Sequence, residues 1–257
     1  MEVLPRSVRL AAWTNAWLRG QTSVDEVLDR VRGADDEPHD VEGMPPGAPA
    51  PLGDALRALR ALGAHAATVA LPRAGDPHGL AGPRVFTEAA VEAGEAVLTL
   101  GAPHALVPRV TTFGPPGDQG HLVSWVWHPA TPAPPTADAA TADRELSTAL
   151  LEANSTLTDL DLPSWRPEVA QLLEDVRAAK NAAPLPHGYS PQAQALAARA
   201  ARLWAIADFA LADHGAAVSA AAADARRAAL QPLERAARHA LAAACNSLAT
   251  AAPPTSS

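Results

Sequence analysis

The apolar positions at the start of the chain recur at helical spacing. Leu10, Trp13 and Trp17 fall at i, i+3 and i+7, which predicts an amphipathic helix over 6–20 with Gly20 just past its end. Val24, Val27, Leu28 and Val31 line one face of a second helix that Gly33 ends. Ser23-Val24-Asp25-Glu26 opens it as a capping box: the serine hydroxyl accepts from the N3 amide and Glu26 reaches back. Leu52, Leu56, Leu59 and Leu62 give a third helix near 54–62, after a Pro/Gly-rich loop over 43–53. The pattern then shifts. Thr68-Val69-Ala70-Leu71 and Ala96–Leu100 are short apolar runs that predict buried strands, with a helix near 85–93 between them. Residues 106–113 and 121–128 flank Gly114-Pro-Pro-Gly-Asp-Gln-Gly120 and predict a hairpin. Pro108 has no amide to donate, so its strand lies at an edge or starts there.

Residues 129–143 contain only Pro, Ala, Thr and Asp, the composition of an extended linker. Beyond them the pattern is helical, near 143–155, 166–180, 191–214 and 217–250. Ser190-Pro191 supplies an N-cap and a proline at N1, and Gly215 a stop. Pro232 is expected to break or kink the last helix. The expected fold is therefore α+β. A small mixed α/β sheet domain covers 1–128, a Pro/Ala/Thr-rich linker 129–143, an α-helical bundle 144–250 and a disordered tail 251–257.

Composition supports a packed protein. Of 257 residues 62 are alanine and 25 proline, and 48% are hydrophobic against 19% charged. The net charge of −8 is uneven: residues 1–143 carry 10 Arg against 17 acids, or −7, and residues 144–257 carry 9 Arg and Lys180 against 11 acids, or −1. Neither half has the basic footprint that nucleic acid requires. A membrane span needs about 18 uninterrupted apolar residues, and the chain has no such run. It opens without a signal-peptide pattern, so the expected location is cytoplasmic. The single cysteine, Cys245, excludes an intrachain disulfide and sits in an alanine-rich helical pattern that predicts a buried thiol.

One loop gathers candidate chemistry. Arg73-Ala-Gly-Asp76-Pro-His78-Gly-Leu-Ala-Gly82-Pro-Arg84 follows a strand, where α/β sheets place ligands. Arg73 and Arg84 suit an anion, and Asp76 suits orienting His78 for acid–base work. The same Asp-Pro and Gly-Pro pairs also describe a plain turn. His78, His104 and His121 converge only if strand ends bring them together, and their spacing matches no metal motif, so no metal is expected. Trp125 and Trp127 share a strand face with Val123, as core residues or as a stacking platform. The acidic stretch 35–42 reads as a solvated loop. Nucleotide-binding, serine-hydrolase and zinc-protease motifs do not occur, so no cofactor is expected.

Residues 7–20, SVRLAAWTNAWLRG, and 75–83, GDPHGLAGP, resemble proteins of unassigned function from high-GC Gram-positive bacteria, over residues 1–130. That resemblance implies a bacterial cytosolic setting and no particular chemistry. Two unlike domains on a semi-flexible connector point to a non-catalytic protein-interaction or regulatory module with a protein partner. Self-association is expected through the helical half, whose alanine-rich faces suit helix docking. The alternative is an anionic-ligand binder or enzyme with its site on the 73–84 loop.

Overall fold

A computed structural model describes residues 4–33, 35, 37–45, 47–115, 118–134, 137–159, 185–212 and 220–250. The chain divides into two compact units. The first gathers residues 2–136, 185–189 and 245–257; the second gathers 137–184 and 190–244. The boundary differs from a simple split at the linker, because two later stretches of chain return to the sheet unit. The predicted tail 251–257 and the predicted helix 166–180 lie outside the described residues.

The sheet unit opens with α1 (Arg6–Leu18) and α2 (Val24–Arg32). Gly20 takes a left-handed turn after α1, and Ser23 Oγ accepts from the Glu26 amide at 3.1 Å. Half of the capping box forms; the Glu26 carboxylate turns instead to Arg30, at 2.8 Å one helical turn on. Two short strands follow within the stretch expected to be loop, β1 (Asp40–Glu42) and β2 (Ala50–Pro51). Then come α3 (Leu52–Ala61), β3 (Ala66–Ala70), α4 (Arg84–Ala93), β4 (Ala96–Leu100), β5 (His104–Phe113) and β6 (Gly120–Pro129). The six strands form one mixed sheet in the order β2-β1-β6-β5-β4-β3, with β1 parallel to β6 and the other pairs antiparallel.

Alternation along the strands sets the two faces. Val123, Trp125 and Trp127 are buried on one face, the side on which α1 packs; α1 itself buries Val8, Leu10, Ala11 and Ala12. Trp13 and Trp17 lie outside that buried stripe, under Arg30 and Arg60 at 5.0 and 5.1 Å from the ring centres. On the other face Phe86 and Ala90 of α4 pack on Ala70, Ala96, Leu98, Ala105 and Val107.

The outer edge of β3 is closed by two asparagines. Asn15 Nδ2 donates to the Ala67 carbonyl at 2.8 Å, and its Oδ1 accepts from the Ala67 amide at 2.7 Å. Two residues on, Asn246 repeats the pairing on Val69, at 3.0 and 2.7 Å. A primary amide offers one donor and one acceptor side by side, as a neighbouring strand would. Asn246 belongs to the last turns of the final helix, and those turns are held by further bonds. Tyr189 hydroxyl donates to the Cys245 carbonyl at 2.9 Å, and Arg19 donates to the Leu248 carbonyl.

The described residues of the second unit are helical: α5 (Ala139–Asp159), α6 (Pro191–Ala212) and α7 (Ala220–Thr250) up to Ala244. α5 begins at Ala139 and takes in the last five residues of the expected linker. Asp138 caps it, accepting from the Thr141 amide at 2.7 Å. Ser190 Oγ caps α6 through the Ala193 amide at 3.1 Å. Pro232 does not end α7, which runs through it. A proline removes one backbone bond, and the helix-favouring alanines on both sides sustain the rest. Buried Leu146, Leu196, Leu230 and Leu241 sit among buried alanines. Arg199 joins α5 and α6, meeting Asp143 at 2.8 Å and Ser147 Oγ at 3.0 Å. No helix among the described residues is long and apolar enough to cross a membrane.

Removing either edge-closing amide leaves a strand amide and carbonyl unpaired. Asn15→Ala and Asn246→Ala should each lower the stability of the sheet unit by about 2–4 kcal/mol in denaturant titrations. Asn246→Asp keeps the acceptor but sets a carboxylate against the Val69 carbonyl, and should not restore the loss at neutral pH.

Candidate functional site

The β5–β6 hairpin is longer than the sheet that carries it. β4 pairs with β5 only at Val97–Leu106 and Leu98–Ala105, whereas β6 pairs with β5 from His104 to Phe113. Pro108, which can donate nothing, stands just past the last β4 pair. From there no strand among the described residues lies beside the β4-facing edge of β5. Arg109 to Phe113 are five consecutive exposed residues, so the side chains of this stretch of β5 meet solvent on both faces. Val110, Phe113 and Leu122 are 40%, 46% and 43% exposed. Arg109 is tied across the sheet to Glu42 on β1, at 2.7 Å, and residues 110–115 carry no charge. An exposed β-branched and aromatic strand with an open edge is a docking element by its chemistry.

The 73–84 loop does not gather its charged residues into one pocket. Arg73 and Asp76 exchange backbone hydrogen bonds at 3.0 and 2.9 Å around Ala74-Gly75, a tight turn. The Arg73 guanidinium lies over Gly94, the left-handed residue that ends α4; a side chain at 94 would strike it. Arg84 sits in the first turn of α4, extended into solvent and bonded to Glu88 at 2.6 Å. The two arginines thus attend opposite ends of a ten-residue helix, about 15 Å long. Asp76 and His78 do come together, with ligand atoms within 4.8 Å.

The chain's most developed polar network was not visible in the sequence. Asp35, expected in a solvated loop, is buried. Arg6 grips it through both Nε, at 2.8 Å, and Nη2, and His39 Nε2 lies 3.0 Å away. His39 Nδ1 accepts from the Trp125 indole at 3.2 Å. An indole only donates, so Nδ1 carries no proton and Nε2–H points at Asp35. Burial acts to raise the Asp35 carboxyl, but the Arg6 hydrogen bond and charge and the facing His39 outweigh it and hold it below 3.8. Burial lowers His39 below 6.5, with the charges of Arg9 and Arg6 adding to it and Asp35 opposing. Nearby, Glu95 accepts from the Ser7 amide at 2.8 Å in the first turn of α1, and desolvation pushes its carboxyl up. This arrangement resembles an acid–base dyad, yet its indole neighbour and its burial seal it; it ties α1, the α2–β1 connection and β6 together.

His104 and His121 stand apart from each other. His104 pairs with Pro129 and His121 with Thr112, so they lie at opposite ends of the hairpin and do not converge. His104 packs on Trp127 at 4.7 Å and His128 on Phe86 at 5.8 Å, and burial lowers the pKa of both. Trp125 and Trp127 are core residues, 0% and 8% exposed. The Cys245 thiol is buried against the Val8 carbonyl, and burial pushes it up to about 12, which keeps it a thiol.

Family models match the chain almost end to end: the Rv1486c-like protein N-terminal domain over residues 7–141 and the Rv1486c-like protein C-terminal domain over residues 140–242. The chain belongs to the Rv1486c-like family. No curated protein and no solved structure matches it.

The His39 network predicts a pH dependence. A buried imidazole held below 6.5 stays neutral while the unfolded chain takes up a proton, so its contribution is complete above pH 6.5 and declines as pH falls below that value. Asp35 adds a loss at lower pH, as its folded value below 3.8 is approached. Denaturant titrations between pH 7 and 5 should show falling stability for the parent. His39→Gln should flatten that slope while lowering stability at pH 7.

Proposed function

We propose that this chain is a non-catalytic protein-interaction or regulatory module of the cytoplasm, with the β5–β6 arm as its docking element. The observation that carries the reading is the run Arg109–Phe113, exposed on both faces with one backbone edge open. A two-stranded ribbon is marginal in water by itself, so an arm of this length gains stability when something covers it. The second unit, which we read as an all-helical bundle, would then be the second arm of an adaptor.

The test pairs the parent with Phe113→Asp/Leu122→Asp in affinity purification from source-organism lysate. A protein retained near stoichiometry by the parent and lost by the variant, at unchanged thermal stability, is the expected result. Equal retention by both contradicts the arm as the docking element.

A second reading is kept for the 73–84 loop, because Asp76 and His78 approach within 4.8 Å. It places a small ligand on that pair alone, since Arg73 and Arg84 cannot hold one anion between them. Under it, His78→Ala abolishes ligand binding in a metabolite screen and Arg84→Ala leaves it intact.

A further inference from the structure

We propose that the partner of the β5–β6 arm is a second copy of this chain, joined by antiparallel pairing of the open β5 edges. The inference rests on the docking role proposed above and names its occupant.

Three observations select a copy over a foreign segment. The first is backbone fit. Two identical strands paired antiparallel are related by a two-fold axis, so the unpaired groups of one edge meet the same groups on the other and the contact closes at two. Among the described residues nothing before Ala96 continues β4 alongside residues 109–113; α4 ends at Gly94 instead. The second is charge. A strand that meets its own copy meets its own charges. Residues 110–113 are Val-Thr-Thr-Phe and carry none. Arg109, the one charge in the exposed run, is already neutralised by Glu42 at 2.7 Å. Edge strands kept single carry charged side chains, lysine above all, and residues 110–113 carry none. The third is the contrast with β3. There two asparagine amides occupy the outward groups of Ala67 and Val69. The chain closes the β3 edge with side chains, while β5, where it outruns β4 on the same side, has no strand beside it among the described residues.

Pairing along five residues buries a small area, so the dimer is weak, in the micromolar range or above. Each copy carries −8, and the contact is apolar and backbone-mediated. Dimerisation should therefore strengthen with salt, as screening removes the repulsion between copies. A contact built on ion pairs would weaken instead.

The experiment is sedimentation equilibrium on the full chain over a wide concentration range, beside Thr111→Lys/Thr112→Lys. Both threonines are exposed, so the variant should match the parent in thermal stability. The expected result is a monomer–dimer equilibrium that tightens with salt in the parent and is at least about tenfold weaker in the variant. As a second readout, Thr111→Cys and Thr112→Cys are made singly; because Cys245 is buried, the new thiol is the accessible one. At least one should form a disulfide-linked dimer under mild oxidation, while Leu151→Cys, at a 72% exposed position on α5, should not.

A parent that stays monomeric throughout overturns the inference, as does a dimer unaffected by the lysine pair. A dimer trapped by Leu151→Cys and not by the arm cysteines places self-association on the helical half and likewise overturns it. If the parent is monomeric yet Phe113→Asp/Leu122→Asp loses a foreign protein, the docking role stands and only its occupant is wrong. If neither assay responds to the arm, both fall.

Discussion

A six-stranded sheet that does not close into a barrel leaves backbone groups to satisfy at its edges and wherever one strand outruns its neighbour, and how they are satisfied governs much of this molecule. At β3 the solution is chemical mimicry. Asn15 and Asn246 each present an amide to one outward-facing residue, and together they take the place of a seventh strand. A buried strand edge without such partners is costly, because each orphaned amide or carbonyl loses its water and gains nothing. The two asparagines come from nearly opposite ends of the chain. The sheet unit is therefore complete only when residues 245–250 are in place. A fragment ending near residue 143, which the linker composition suggests as a natural cut, would lack Asn246, Tyr189 and Cys245.

The same constraint explains the buried ionic network. α1 is held at its start by Glu95 on the Ser7 amide and by Arg6 on Asp35. It is held in its middle by Asn15 and at its end by the bond from Arg19 to α7. Each contact fixes the helix whose asparagine caps the edge. His39 extends the network into the sheet by joining Asp35 to Trp125. Its chemistry, a neutral imidazole between a carboxylate and an indole, serves positioning; a proton-transfer role would need a path to solvent that the indole and the surrounding core close off.

Periodicity made the long elements legible. α1 to α4, β3 to β6 and the caps at Ser23 and Ser190 follow from local spacing and local hydrogen bonding, which one stretch of sequence contains. What escaped was non-local. β1 and β2 are three and two residues long, too short for any period, and exist because β6 offers β1 an edge. Asp35 reads as solvated because its neighbours in sequence are acidic, while Arg6 comes from the start of α1 and His39, four residues on, is held in place by Trp125 of β6. Arg73 and Arg84 look like one site on paper because eleven positions separate them, yet α4 carries its own arginine one way and the turn at Gly75 sends the other back. Pro108 neither starts its strand nor sits in an edge strand: β5 begins at His104 and lies between β6 and β4, and the proline is tolerated because the β4 pairing ends at Leu106.

The β3 edge is closed by asparagines and the stretch of β5 beyond β4 is left without a strand, and amide hydrogen exchange resolved by residue reads both at once. Dilute protein should protect the Ala67 and Val69 amides strongly, and should leave rapid exchange at alternate positions of 109–113, where amides face away from β6. Raising the concentration should slow those arm amides and leave β3 unchanged. Fast exchange at Ala67 and Val69, or arm amides equally protected at every concentration, would contradict this reading of the two strands.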